Sequence, residues 1–357
     1  MEGVAVPMNR EAQVRQDSES RWRRRTPSEL IHTRSIKLEK ATEKWASKVN
    51  ELIIGATQKE GGTRNSVIKV GGATTLPFLH FEGVIPNPPA IAMEVWDTEP
   101  VDWPAVLKEP FRDVLDKPVE WAKKCVSEYG ANFLCLRLAS TNPDTKNSSP
   151  EEAAATVKKV LEAVSVPLMI IGCNQAEKDT EVIPVVSEAA RGENCLIGIA
   201  VEANYKTITA ACQSDGHSII AETPIDINLA KQLNILISDM GFPPEKIVMH
   251  HATGALGYGL EYTYSIMERS RLAALQGDRM MSMPMVNFVG QEVWRVKEAK
   301  TSEKEVPEWG PIASRGPLWE ITTAVSYLQA GADILVMCHP KAIESVRETI
   351  GDLMKKE

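Results

Sequence analysis

From about residue 88 to residue 340 the chain repeats one pattern: a short, nearly unbroken apolar run, then a longer amphipathic stretch. The apolar runs are Ala90–Trp96, Phe133–Leu138, Leu168–Ile171, Cys195–Ala200, Ser218–Ala221, Ile247–Met249, Met283–Phe288 and Ile334–Met337. Most are too continuous for a strand with one wet face, so they predict strands buried on both sides. The stretches between them carry helix punctuation. Pro118–Tyr129 begins with Pro in the first turn and closes at Gly130, and Ser149-Pro150-Glu151-Glu152 reads as a capped helix start. Asp226–Asp239 stops before Gly241 and Pro243-Pro244, Tyr258–Leu275 before Gly277, and Pro317–Gln329 before Gly331. Strands alternating with helices require parallel pairing through right-handed crossovers. Eight of them predict an α/β fold closed as a (β/α)8 TIM barrel. An open doubly wound sheet usually has a glycine-rich turn after its first strand, whereas here the first run ends in Trp96-Asp97-Thr98.

The part before residue 88 follows a different rule. Ser66–Val70 alternates, Gly71-Gly72 turns the chain, and Thr75–Phe81 follows, which predicts a β-hairpin within residues 66–83. Such a lead-in commonly plugs the N-terminal end of a barrel. Residues 1–45 are polar, with Arg21, Arg23, Arg24 and Arg25 around Trp22. They predict a flexible N-terminal extension, which fits a docking arm for an acidic partner or a loose terminus. The expected domains are therefore 1–45, the Arg-rich extension, and 46–357, the barrel with its hairpin.

Composition narrows the function. The 357 residues are 43% hydrophobic and 25% charged, with a net charge of −8. Residues 1–45 balance at +3, which leaves −11 for the remainder. That balance argues against nucleic acid as the main partner. The six cysteines, at 125, 135, 173, 195, 212 and 338, show no close spacing, so an iron–sulfur cluster held wholly by this chain is not expected. No apolar run approaches the ~20 residues of a membrane span, and the start lacks a secretory apolar core, so the expected location is the cytoplasm with no membrane partner.

In a barrel, chemistry sits at the C-terminal strand ends. The residues there include Asp97, Ser140-Thr141-Asn142, Gly172-Cys173-Asn174, Glu202, Asn204-Tyr205, Glu222-Thr223, His250-His251, Thr253-Gly254 and His339. This rim offers hydrogen bonds more than acid–base pairs. Asp97, Glu202 and Glu222 are the acid–base candidates, or plain rim carboxylates. His250-His251 point to opposite faces of a strand and so make a poor metal grip. The densest segment, His251 to Gly259, has three glycines within six residues. It suits close backbone approach to a large ligand, or a tight strand-to-helix turn. Met280–Met285 reads as core filler. The tryptophans at 96, 103, 121, 294, 309 and 319 fit either an interface or loops pinned to their own barrel.

From about residue 52 onward the chain resembles the small subunit of the corrinoid iron–sulfur protein, the delta subunit of acetyl-CoA decarbonylase/synthase. The likeness is carried by Gly61-Gly62-Thr63-Arg64, Phe81-Glu82-Gly83, Glu177-Lys178-Asp179 and Asp226-Ile227-Asn228 with Lys231-Gln232. It continues through Gly257-Tyr258-Gly259, Leu275-Gln276-Gly277-Asp278, Trp319-Glu320, Gln329-Ala330-Gly331-Ala332 and His339-Pro340. The resemblance implies a barrel that catalyses nothing alone and pairs with a large subunit. That subunit would bear the [4Fe-4S] cluster, and cobalamin would lie between the two chains. It further implies methyl transfer from a methyltetrahydrofolate methyltransferase to acetyl-CoA synthase/CO dehydrogenase in the Wood–Ljungdahl pathway. Asn174, Asn204, Tyr205, Thr253, Gly254 and Tyr258 are the expected corrin contacts, because amides and hydroxyls suit corrin side chains. No catalytic or metal-ligating residue is expected. A pterin-dependent methyltransferase barrel and a purely structural scaffold are the rivals.

Overall fold

The computed structural model describes residues 41–355. By internal contacts the chain divides between Thr42 and Glu43, and the unit from Glu43 onward is described here. The expected Arg-rich extension lies almost wholly outside the described residues.

Two strands, β1 (Glu51–Ile54) and β2 (Ile68–Gly71), form a separate antiparallel pair. Eight more follow: β3 (Ala90–Trp96), β4 (Leu134–Arg137), β5 (Leu168–Ile171), β6 (Leu196–Ala200), β7 (Ser218–Thr223), β8 (Ile247–His251), β9 (Val286–Asn287) and β10 (Ile334–Met337). Their order in the sheet is β8-β7-β6-β5-β4-β3-β10-β9, every pairing parallel. The ring is closed between β8 and β9 by one bridge, Met249 to Met285, with the Met249 N–H donating to Pro284 O at 2.8 Å. The (β/α)8 barrel is as expected, with a short β9 as its thinnest seam.

The helices are α1 (Ala105–Lys108), α2 (Pro118–Ser127), α3 (Pro150–Ala163), α4 (Ala176–Ala189), α5 (Tyr205–Asp215), α6 (Ile227–Asp239) and α7 (Leu260–Leu275). They are followed by α8 (Val289–Val293), α9 (Lys297–Lys300), α10 (Ile312–Ala330) and α11 (Pro340–Leu353). Helix α10 begins five residues before the expected start and runs through Pro317. Pro317 is its sixth residue, so the missing N–H removes the bond it would have made to the Ala313 carbonyl.

Strand alternation sorts the two cores. Inward positions Ala92, Phe133, Cys135, Met169, Ile171, Leu196, Ile220, Val248, Ile334 and Val336 fill the bore. Their neighbours Met93, Leu134, Leu136, Ile170, Ile219 and Leu335 face the helices. The bore core also includes Leu52, Ile54, Ile68 and Val70 of the β1–β2 pair. That pair closes the N-terminal end: the Gly55 N–H donates to Asn194 O at 2.8 Å and the Asn50 N–H to Ser282 O at 2.6 Å.

The expected hairpin needs correction. The strand at 66–70 is present, but its partner is Glu51–Ile54 and not Thr75–Phe81, which forms turns. The 13 residues between the two strands are gathered by Arg64, which donates to Leu161 O (2.7 Å) and Val164 O (2.5 Å) at the C-terminal end of α3 and to Glu193 (2.8 Å). A guanidinium at a helix C-terminus meets unpaired carbonyls and the negative end of the dipole. Gly62 permits the approach, since a Cβ there would lie 2.3 Å from Ala56 O.

Candidate functional site at the barrel mouth

The expected rim residues fall on three loops. Asn174 follows β5 in a left-handed conformation (φ 67). Asp179 of α4 holds that turn by accepting the N–H groups of Cys173 (2.9 Å) and Asn174 (3.1 Å), which leaves the Asn174 side chain in solvent. Asn204 and Tyr205 follow β6. Asn204 is buried; its amide accepts from Val201 N–H (2.8 Å) and donates to Ile199 O (3.3 Å), so it shapes the turn. Tyr205 starts α5, half-buried.

Thr253, Gly254 and Tyr258 lie between β8 and α7. The Gly254 N–H and C=O are both engaged by the Tyr327 hydroxyl, at 3.0 and 2.5 Å, and burial pushes that phenol up to about 12. A Cβ on Gly254 would come within 2.5 Å of the Gly259 backbone, so the loop folds on itself only with glycine there. Trp319 pins the same loop through Leu256 O at 3.1 Å. Tyr258 stands exposed at the tip. Asn174 and Tyr258 therefore present side chains outward, Tyr205 packs in part against the helix-side core, and Asn204 and Thr253 bond inward.

Beneath the rim the bore changes from apolar to charged. Glu94 of β3 and Arg137 of β4 form a buried ion pair at 2.6 Å, and Arg137 also donates to Gln291 at 2.5 Å. Trp96 Nε1 donates to Glu94 at 2.7 Å, and the guanidinium lies 5.8 Å from the Trp96 ring and 5.9 Å from that of Phe288. Burial works against the Arg137 charge, but Glu94 outweighs it and the guanidinium is held more firmly protonated. Removing one partner of such a pair typically costs about 3–5 kcal/mol.

Next to this pair, His250 Nδ1 meets Glu222 at 2.7 Å and His250 Nε2 meets the Thr253 hydroxyl at 3.0 Å. Thr253 Oγ1 also accepts the Phe288 N–H at 3.1 Å. With a neutral imidazole, a carboxylate acceptor at Glu222 puts the ring proton on Nδ1, so the Thr253 O–H donates to Nε2. Burial alone would raise the Glu222 carboxyl, but the His250 bond and the Arg137 charge more than offset it and hold it below its ordinary range. His251 turns to the opposite face, against Ser270 at 3.0 Å, and burial lowers it to about 3.

Of the other acid–base candidates, Asp97 is buried against Ser140, with its carboxyl raised by burial, and Glu202 is exposed. Glu94, Arg137 and Gln291 escaped the sequence reading. The signal was there: a Glu and an Arg inside two otherwise apolar strands. The tryptophan question is decided for the barrel itself. Trp103 meets Trp96 and Trp121 edge-to-face, with Phe111 tilted against Trp103 and Trp121, Trp294 stacks on His339, and Trp309 lies under Arg315. Met281, Met283 and Met285 are core.

Between the loop after β6 and the start of α6 runs a groove of about 670 Å3, walled by Val201, Pro224, Leu229, Leu233 and Ala252. Glu202, Glu222, Thr223 and Gln232 are its polar lining.

Comparison with known proteins places this geometry. The family model described as CO dehydrogenase/acetyl-CoA synthase delta subunit matches residues 51–301. The acetyl-CoA decarbonylase/synthase complex subunit delta of Archaeoglobus fulgidus is 36% identical over 332 residues, covering 92% of this chain and 72% of that one. Its counterpart in Methanocaldococcus jannaschii is 37% identical over 316 residues, covering 87% and 75%. Among solved structures, two of Xanthomonas albilineans dihydropteroate synthase superpose with TM-scores of 0.51 and 0.52, at 12% and 13% identity, over 77% of this chain and 96% of theirs. At that identity the likeness concerns the barrel fold alone.

Proposed function

The chain belongs to the CO dehydrogenase/acetyl-CoA synthase delta-subunit family, and from that premise we propose that it is the small, non-catalytic partner in a corrinoid iron–sulfur methyl carrier. In this reading a larger subunit holds the [4Fe-4S] cluster, and the corrinoid lies between that subunit and the barrel mouth. A bound corrinoid supplies the cobalt chemistry of methyl transfer. The methyl group comes from a methyltetrahydrofolate methyltransferase and passes to acetyl-CoA synthase/CO dehydrogenase.

The observation that carries this reading is the filled bore. Glu94, Arg137, His250 and Phe288 are all under 10% exposed and occupy the space beneath the rim. A flat, wide ligand lying across such a rim is favoured over a small substrate sunk into the barrel. The donor set fits it too. Asn174 offers an amide outward, Tyr258 carries an exposed ring whose phenol meets Glu298, the loop through Gly254 is rigidly held by Tyr327, and Thr253 braces that loop from below. Carboxamide side chains of a corrin need such partners. Asn204 sets the position of Tyr205.

Anaerobic purification of the tagged full chain from its native host, with native mass and visible spectrum, tests the proposal. The expected product is a one-to-one complex with a larger chain, showing corrinoid and iron–sulfur absorption. A lone, colourless chain that binds methyltetrahydrofolate by itself would instead make it a pterin-dependent methyltransferase.

A further inference from the structure

We infer that the groove between the β6 loop and α6 is a specificity-determining subsite, in which Glu222 accepts carboxamide N–H groups at the edge of the bound corrinoid and turns away carboxylates. The inference rests on the corrinoid reading above and deepens it.

The groove is the right size and in the right place. Its volume of about 670 Å3 lies in the range of small-molecule sites, roughly 300–1,000 Å3. It opens between the loop that carries Tyr205 and the loop that carries Thr253, two of the expected contact loops. Its walls are aliphatic, which suits a methyl-studded macrocycle edge. Leu229 is 40% exposed although it faces this groove, and Ile225 beside it is 43% exposed.

The polar lining is one-sided. Among the described residues no Lys or Arg lines the groove. Glu222 spends one carboxylate oxygen, Oε2, on His250, while Oε1 accepts no hydrogen bond among the described residues, and the side chain remains 31% exposed. Glu202 is a second carboxylate at the edge. Thr223, 7% exposed, lines the same groove with a buried hydroxyl that has no partner. A carboxylate oxygen left without a partner in a partly dry groove favours a ligand that donates an N–H. A carboxylate ligand would meet the like charges of Glu222 and Glu202, while the nearby Arg137 is already engaged by Glu94 and Gln291.

The His250 link fixes the function of Glu222. With a neutral imidazole, Thr253 donates to His250 Nε2 and His250 Nδ1 donates to Glu222 Oε2. Glu222 lines the groove with Oε1 unspent among the described residues, and its lowered pKa keeps it ionised across the neutral range.

The test uses the complex with the larger subunit, freed of corrinoid and titrated in visible light with cobinamide (carboxamides) and cobyrinic acid (carboxylates). The wild type is expected to favour cobinamide, and Glu222→Gln to tighten cobyrinic acid binding by about tenfold while changing cobinamide less. Leu229→Asp, a change at an exposed wall position that leaves the fold intact, is expected to weaken both ligands severalfold. Cobinamide bound as in the wild type by both variants, with the preference unchanged, would overturn the subsite while leaving the corrinoid reading in place. A wild-type complex that takes up neither corrinoid would overturn both.

Discussion

Glu320 has the most demanding environment of any residue in this barrel. It is wholly buried, and its two oxygens accept three N–H donors: Cys338 at 2.6 Å, Trp294 at 2.8 Å and His339 at 3.2 Å. Burial raises its carboxyl to about 7, against those three hydrogen bonds, which favour the charged form. The native protein then keeps a proton that the unfolded chain gives up near the ordinary value of 4.5. Between those two values the native state binds more protons, so stability falls as pH rises through the window, by roughly 3 kcal/mol in all, and is flat above it. Glu320→Gln cannot titrate. Urea unfolding of both proteins at pH 5 and pH 8 should show the wild type losing stability relative to the variant at the higher pH; parallel behaviour would mean the carboxyl is ionised throughout. His251, lowered to about 3, imposes the opposite slope as pH falls below the ordinary imidazole range, but it is present in both proteins and cancels in the comparison. The motif Trp319-Glu320, one of the residue pairs that carried the family likeness, thus turns out to knit α10 to the turn after β10.

At the scale of elements, the sequence motifs mark the joints between strand and helix. Asp179 clamps the turn after β5, Arg64 gathers the end of α3, and Asp226 caps α6 by accepting the N–H groups of Asn228 (2.8 Å) and Leu229 (3.2 Å). The cap sets where α6 begins and so where Leu229 meets the groove. Asp226→Ala should cost about 1 kcal/mol in thermal or urea unfolding, and Asp226→Asn should recover most of it; equal losses from both would point to charge and not to the cap. The helix start at Ser149-Pro150 was legible because capping chemistry is local, and the structure adds a reciprocal bond from Glu152 to the Ser149 N–H. The partner of β2 was not legible. Both Glu51–Ile54 and Thr75–Phe81 have strand-like composition, and the choice between them was made by Arg64 and Asn194, contacts remote in sequence.

For the whole molecule, the decisive feature is that the bore is closed at both ends by different means. Below, Leu52, Ile54, Ile68 and Val70 of the β1–β2 pair complete the bore core. Above, an ion pair and a histidine–carboxylate link fill the mouth. Ile54, fully buried, should cost about 2–5 kcal/mol on truncation to Ala. Its neighbour Ile53, 42% exposed, should cost well under that. Similar losses at the two positions, measured by urea unfolding, would mean the pair does not plug the barrel.

The sequence alone determined the number of strands, their burial on both faces, the alternation with helices, and hence a closed parallel barrel. It also carried the family likeness. Those properties depend on periodicity and on local capping, which neighbouring residues specify. Tertiary structure alone decided that Glu94 meets Arg137, 43 residues away, that Asn204 and Thr253 spend their polar groups inward, and that the tryptophans pack on their own barrel. It also decided that Glu202 and Glu222 come together in a groove beside α6. A strand's pattern says which face a residue occupies, but which side chain it meets across the bore depends on how the ring of strands closes.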